Sequence, residues 1–208
     1  MKERKMHRFS ALYALLFALY SVIFYVFLLS RIRGKRNVPR EGGLVLMCNH
    51  IHWIDPLTLA LCVPRRQVHF MGKVELFQGK VLGPLLRSAH AFPVGRGQFD
   101  MMAIREAMAV LRAQCTLGIF PEGTRYPADE IGPLHSGASV LALKSNVPVV
   151  PVYVHRPHRW YWGVRVQVGT PIAIDDLRAA GADKQSVDVL TARIREALEA
   201  LRAKCVEK

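Results

Sequence analysis

The sequence predicts an α/β fold: a mixed, largely parallel sheet flanked by helices, with an N-terminal membrane-embedded helical segment. Three observations predict it. Short apolar runs bounded by turn residues alternate along the chain with longer stretches at helical spacing. One long uncharged run, Phe9 to Ser30, precedes all of them. The 208 residues suffice for one globular domain with a sizeable core, and no internal repeat divides them.

The chain opens on a basic stretch, with Lys2, Arg4, Lys5 and Arg8 against Glu3. As a helix, Phe9 to Ser30 would reach roughly 30 Å, about the thickness of a bilayer's hydrocarbon core. A signal peptide has a shorter apolar core and a small-residue cleavage site, which this run lacks. A buried core helix is the bland alternative, yet the run is apolar on every face. Arg31, Arg33, Lys35 and Arg36 follow at once. Positive charge marks the cytoplasmic side, so basic flanks at both ends favour a segment that bends back or lies in one leaflet. Residues 1–36 therefore read as an anchor, and residues 37–208 as the soluble domain. The boundary falls in the turn-rich stretch Asn37–Gly43.

Strands are expected at 44–48, 67–71, 90–94, 116–120, 149–154 and 163–169. Helices are expected at 56–62, 74–87, 99–114, 136–145 and 186–204. In the last, Val187, Leu190, Ile194, Leu198 and Leu201 recur at helical spacing, with Arg193, Arg195, Glu196 and Glu199 on the wetter face. That helix reads as packing. Ala179-Ala180-Gly181 reads as the loop before it.

The net charge of +13 favours anionic partners. The basic residues are spread along the chain, aromatic content is 9%, and no zinc-finger or RNA-recognition signature is present, so nucleic acid is not the expected partner. With a long apolar N-terminus, an anionic membrane is. Four cysteines (Cys48, Cys62, Cys115 and Cys205) form no CxxC pair and fall in apolar or helical patterns, which reads as buried thiols in a reducing compartment. Cys48 beside a histidine loop would be a nucleophile only if it escaped burial.

The chemistry gathers at strand ends. Leu44–Cys48 is followed by Asn49-His50-Ile51-His52-Trp53-Ile54-Asp55, then Pro56. Ligands collect at the carboxyl ends of strands in sheets with helix crossovers. A histidine there, with a carboxylate one loop away, is suited to act as an oriented general base. Asp55 could equally be only a helix N-cap and His50 only a loop residue. Thr116–Ile119 is followed by Phe120-Pro121-Glu122-Gly123-Thr124-Arg125. Between the two lies Phe92-Pro93-Val94-Gly95-Arg96-Gly97, and beyond them Val147-Pro148-Val149-Val150-Pro151-Val152.

These four blocks, in this order from about Gly34 to about Thr170, resemble the glycerolipid acyltransferases. Among these the 1-acyl-sn-glycerol-3-phosphate acyltransferases are the nearest match. The resemblance implies that 37–208 is an acyltransferase domain. His50 would be the base that takes the acceptor's proton, with Asp55 fixing its tautomer. Arg96 and Arg125, each beside a glycine-containing turn, would hold the acceptor phosphate. Glu122, Gly123 and Thr124 would lie at the acceptor site, and Lys73 resembles a further basic position more weakly. Glu122 would repel phosphate, so it is expected to orient an arginine or accept from a glycerol hydroxyl. Asn49 or nearby backbone N–H groups are candidates for the oxyanion donors.

No metal and no cofactor are expected. The acyl group would arrive as a thioester of CoA or acyl carrier protein, the acceptor would be a lysophospholipid, and the enzyme would work at the cytoplasmic face of the cell membrane. Another lysolipid or glycerol 3-phosphate as acceptor, a lipid hydrolase, and a non-catalytic anionic-lipid binder are the competing readings. A hydrolase would need a Gly-x-Ser-x-Gly elbow, which is absent from the sequence. This sequence departs from the family pattern at His52, Gly95, Tyr126 and Leu134-His135, which bears on the acceptor headgroup rather than on the reaction.

Overall fold

A computed structural model describes residues 11–64, 66–95, 100–127, 130–156, 163–178 and 181–206. Seven strands form one sheet: β1 (Arg31–Arg33), β2 (Leu44–Cys48), β3 (Val68–Lys73), β4 (Ala91–Val94), β5 (Thr116–Ile119), β6 (Val149–His155) and β7 (Arg165–Val168). Their spatial order is β1-β7-β6-β2-β5-β3-β4. Strands β2 to β6 run parallel, β7 is antiparallel to β6, and β1 is parallel to β7. The sheet is therefore mixed and largely parallel, as the alternation of strands and helices predicts.

The helices are α1 (Ala11–Val22), α2 (Asp55–Ala60), α3 (Leu82–Ser88), α4 (Met101–Arg112), α5 (Gly137–Ser145), α6 (Asp175–Arg178) and α7 (Lys184–Val206). They cover both faces of the sheet, which explains why β2 is apolar at every position instead of alternating. Val45 and Met47 join the core beneath α4, α5 and α7. Leu44, Leu46 and Cys48 face the other way, toward Tyr20 and Phe24 of the N-terminal segment and Leu59 of α2. The helical stripe expected at the C-terminus holds: Val187, Leu190, Ile194, Leu198 and Leu201 are all buried.

The N-terminal segment differs from expectation. Over the described residues the α-helix runs Ala11–Val22. It passes into a π-helical turn at Ile23–Phe27, and Leu29 adopts φ +46° where the chain turns away. Among the described residues, no helix is long and apolar enough to cross a membrane. Tyr20 and Phe24 are buried in the core, and Ser30 ties the end of the segment to the sheet by accepting from the Val164 N–H at 3.1 Å. Arg31-Ile32-Arg33 then pairs with β7, so residues on both sides of the expected 36/37 boundary share one sheet and one core. The basic start, Lys2 to Arg8, lies outside the described residues.

The helix expected over 74–87 is interrupted. A 3-10 turn spans Val74–Phe77, and α3 begins only at Leu82, after Gly79. Gly83 lies tight under this turn: a Cβ there would sit 2.4 Å from the Phe77 carbonyl oxygen.

Candidate active site

Five parallel strands end on the same edge of the sheet, and every candidate site residue follows or closes one of them. His50 follows β2, Lys73 closes β3, Arg96 follows β4, and Glu122 to Arg125 follow β5. Arg96 itself lies outside the described residues. The turn before it is anchored: Asp100 accepts from the Gly95 N–H at 2.7 Å while capping α4 through the N–H groups of Met102 and Ala103.

His50 and Asp55 meet. Nδ1 of His50 lies 3.0 Å from Oδ2 of Asp55. The same oxygen accepts from the N–H groups of Ile51 at 2.8 Å and His52 at 2.7 Å. The carboxylate thus faces back along the loop that carries the histidine, and no side-chain cap of its own helix is formed. The N-cap reading is corrected: Asp55 organises the loop. Asp55 is fully buried, and burial alone would raise its carboxyl. The bonds from His50 and the His52 N–H, the Arg156 charge and the Ile51 N–H together hold it below its ordinary 3.8. With Nδ1–H donated to a carboxylate, Nε2 carries the lone pair.

A stack of rings fixes the imidazole plane. His50 lies on Phe120 at 4.2 Å between centroids and 25° between planes, and Phe120 lies on Phe70 at 6.5 Å and 13°. Phe70 reaches this place because β5 carries Gly118 beside it, where a Cβ would meet the Phe70 ring at 2.4 Å.

Glu122 is buried and braces the site from below. Oε2 accepts from the His50 N–H at 2.8 Å and Oε1 from the Gly132 N–H at 3.1 Å. Where an arginine was one expected partner, two backbone N–H groups meet the carboxylate, which points into the protein. Burial raises its carboxyl above 4.5 despite the bonds from His50 and Gly132. Gly123 turns the chain at φ +66°, a conformation glycine adopts freely, against the His135 ring. Thr124 and Arg125 are exposed beyond that turn, and Lys73 is exposed at the end of β3. The Arg125 charge is one cause of the lowered His52 imidazole, after burial, Arg156 and an opposing Asp55.

The expected oxyanion donors near His50 are committed elsewhere. Asn49 is buried and extends the sheet, donating to the Val154 carbonyl at 3.0 Å and accepting from its N–H at 2.7 Å. The N–H groups of residues 50, 51 and 52 serve Glu122 and Asp55. All four cysteines are buried, and none is in a disulfide. Burial holds the Cys48 thiol well above its ordinary value and pushes Cys62 to about 12, so neither offers a ready thiolate.

One site residue escaped the sequence reading. Arg156 follows β6 on the same edge, is buried, and donates through Nη2 to Asp55 Oδ1 at 3.0 Å. Its signal was its place: an arginine directly after His155, where the mostly apolar strand Val149–His155 ends.

Comparison with known proteins adds to this geometry. The family model described as Acyltransferase matches residues 30–155, more than half of the chain. A 1-acyl-sn-glycerol-3-phosphate acyltransferase from Bacillus subtilis is 37% identical over 127 residues, covering 61% of this chain and 63% of that protein. Its counterpart from Streptococcus pneumoniae is 27% identical over 172 residues, covering 79% of this chain and 63% of that protein. The matches thus span less than two thirds of these relatives. The crystal structure of a 1-acyl-sn-glycerophosphate (LPA) acyltransferase from Thermotoga maritima superposes with a TM-score of 0.70 over 94% of this chain and 82% of that one. At 20% identity this likeness concerns the fold.

Proposed function

Because the chain belongs to the acyltransferase family, we propose that it moves a fatty acyl group from a thioester to the sn-2 hydroxyl of 1-acylglycerol 3-phosphate, giving phosphatidate. The observation that carries this reading is the His50–Asp55 pair at 3.0 Å, with the carboxylate buried and held ionised.

In this reading Nε2 of His50 takes the proton of the attacking hydroxyl. The new C–O bond forms at the thioester carbonyl, and the C–S bond breaks as the tetrahedral intermediate collapses. The proton then passes from the imidazolium to the departing thiolate. Asp55 stabilises the imidazolium between the two steps. No acyl-enzyme is needed, since the thioester is already activated. Arg96, Arg125 and Lys73 supply positive charge for the acceptor phosphate, and guanidinium suits phosphate because it donates in pairs. Because Asn49 and the N–H groups of residues 50–52 are occupied, oxyanion stabilisation falls to another exposed donor of this edge such as Thr124.

The donor is acyl-CoA or acyl carrier protein, and the site works at the cytoplasmic face of the cell membrane. Support for membrane contact comes from the surface. Leu15, Leu19, Val26, Phe27 and Leu29 are more than half exposed on the N-terminal segment, and so is Trp53 in the histidine loop. Exposed Arg31, Arg33 and Arg36 lie beside that segment. Such a helix lies in the interface, apolar side in lipid and basic groups at anionic headgroups.

The test is a panel. Purified protein in detergent, given labelled acyl-CoA or acyl carrier protein, should acylate 1-acylglycerol 3-phosphate in preference to lysophospholipids with larger headgroups and to glycerol 3-phosphate. Preference for another acceptor would keep the chemistry and replace the substrate. Transfer to none of them would leave an anionic-lipid binder.

A further inference from the structure

The hydrogen bonds of Asp55 continue beyond His50. Oδ1 accepts from Arg156 Nη2 at 3.0 Å, and the same nitrogen donates to Thr58 Oγ1 at 3.3 Å. Thr58 Oγ1 lies 2.7 Å from the Tyr20 hydroxyl, and either can donate. Arg156, Thr58, Asp55 and Tyr20 are all buried. Tyr20 belongs to α1, Thr58 to α2, and Arg156 follows β6, so residues far apart in sequence converge on one carboxylate.

We infer that Arg156, Thr58 and Tyr20 are positioning residues for the His50–Asp55 pair, through which the N-terminal helix takes part in acyl transfer. The inference rests on the proposed role of His50 as base. Three donors fix Oδ2 of Asp55: the His50 ring and the N–H groups of Ile51 and His52. A carboxylate held at one oxygen can still rotate about its C–C bond, and rotation would carry Oδ2 off the line of Nδ1–H. Arg156 holds the other oxygen and fixes the plane. It also balances a charge that would otherwise be buried against one imidazole and two backbone N–H groups.

An arginine side chain has several rotamers, so its own placement needs a second contact, and Thr58 provides it. The Thr58 hydroxyl is oriented in turn by Tyr20. Burial raises the Tyr20 phenol, so it remains a neutral hydroxyl at working pH. Tyr20 is held by the seating of α1 and of the π-helical turn after it, which carries the fully buried Phe24. A helix whose outer side is apolar and exposed thus has an inner side wired to the base.

The experiment compares variants that remove one atom group each, in the full-length protein. Thr58→Val keeps shape and loses the hydroxyl, Thr58→Ser restores it, and Tyr20→Phe removes only the phenolic oxygen. The expected result is a kcat lowered about threefold to tenfold in Thr58→Val and Tyr20→Phe. KM for donor and acceptor should stay within about twofold, with kcat recovered in Thr58→Ser. Because the residues act in series, the double variant should lose little more than Thr58→Val alone. Arg156→Met should lose more, roughly tenfold to a hundredfold, and Arg156→Lys should recover part of it.

Wild-type kcat in folded Tyr20→Phe and Thr58→Val would overturn the inference, as would losses that multiply in the double variant. A fall in melting temperature with kcat intact would also overturn it, leaving packing alone. Should Thr58→Val fail to fold, Tyr20→Phe decides. His50→Ala separates the two claims: if it stays active, the base assignment fails. If it is inactive while Tyr20→Phe is fully active, only the relay fails.

Discussion

The side chain of Glu122 accepts the backbone N–H of His50 at 2.8 Å, so the second motif holds the first in place. This bond gives a physical reason for the two motifs to occur together. The carboxylate spans two loops, joining His50 to Gly132, and needs both oxygens to do so. Glu122→Gln offers one acceptor and one NH2 group, and an NH2 facing a backbone N–H repels it. The variant should fold but lose about tenfold in kcat, because one N–H is orphaned and the histidine loop loosens. Steady-state kinetics beside circular dichroism checks this. Unchanged kcat would mean that Asp55 alone fixes the loop.

The two arginines proposed to hold the acceptor phosphate make a kinetic prediction. A charged hydrogen bond lost from a closed pocket costs roughly tenfold to a hundredfold in kcat/KM. Arg125→Ala and Arg96→Ala should each show that loss when a phosphate-bearing acceptor is varied, and little change when the acyl donor is varied. Arg125 is exposed and makes no ion pair among the described residues, so its removal should leave stability unchanged. Loss confined to donor affinity would assign these residues to the thioester instead.

Asp55 sets an acid limit on stability. Its folded carboxyl lies below the ordinary 3.8, so its ionised form favours the fold. That contribution is fully present above the ordinary value and is lost as pH falls through the depressed one. Glu122, raised above 4.5, acts with the opposite sign: the folded state takes up its proton first, so stability gains as pH falls through the raised value and the gain is complete below 4.5. Urea midpoints measured against pH should therefore fall more steeply below pH 3.8 in the wild type than in Asp55→Asn. Parallel curves there would contradict the buried, charge-compensated carboxylate.

Membrane contact is testable without disturbing the core. Leu15, Leu19, Val26 and Phe27 point outward, so replacing them with serine should leave the melting temperature nearly unchanged. Flotation with vesicles containing anionic lipid should drop sharply, since each exposed apolar side chain contributes on the order of 1.5–3 kcal/mol when buried in lipid. Flotation equal to wild type would move the contact elsewhere, to Trp53 or the basic surface.

Much of this was legible in the sequence, for identifiable reasons. Leu44–Cys48 and Val149–Val154 read as strands because burial on both faces makes them continuously apolar. His50 and Asp55 read as a pair because a strand end and a short loop leave them few places to go. Other features required tertiary contacts. Arg31–Arg33 resembles a basic flank and becomes a strand only because β7 offers it an edge. Nothing local in Tyr20 or Thr58 marks them, since their partner Arg156 is about a hundred residues from Thr58. Asn49 looked available as a donor until β6 arrived to pair with it. The apolar run Phe9–Ser30 read as a membrane anchor because periodicity cannot show that Tyr20 and Phe24 face a protein core.

The central claim is that His50 Nε2 removes the acceptor proton while Asp55 holds the ring. The most direct measurement is acyl transfer from labelled acyl-CoA to 1-acylglycerol 3-phosphate by wild type and His50→Ala, each shown to be folded by circular dichroism. The account predicts at least a hundredfold loss of kcat in His50→Ala, the scale of a lost general base, about 10²–10⁴-fold, with the acceptor KM little changed. A folded His50→Ala protein that transfers the acyl group at the wild-type rate would contradict it.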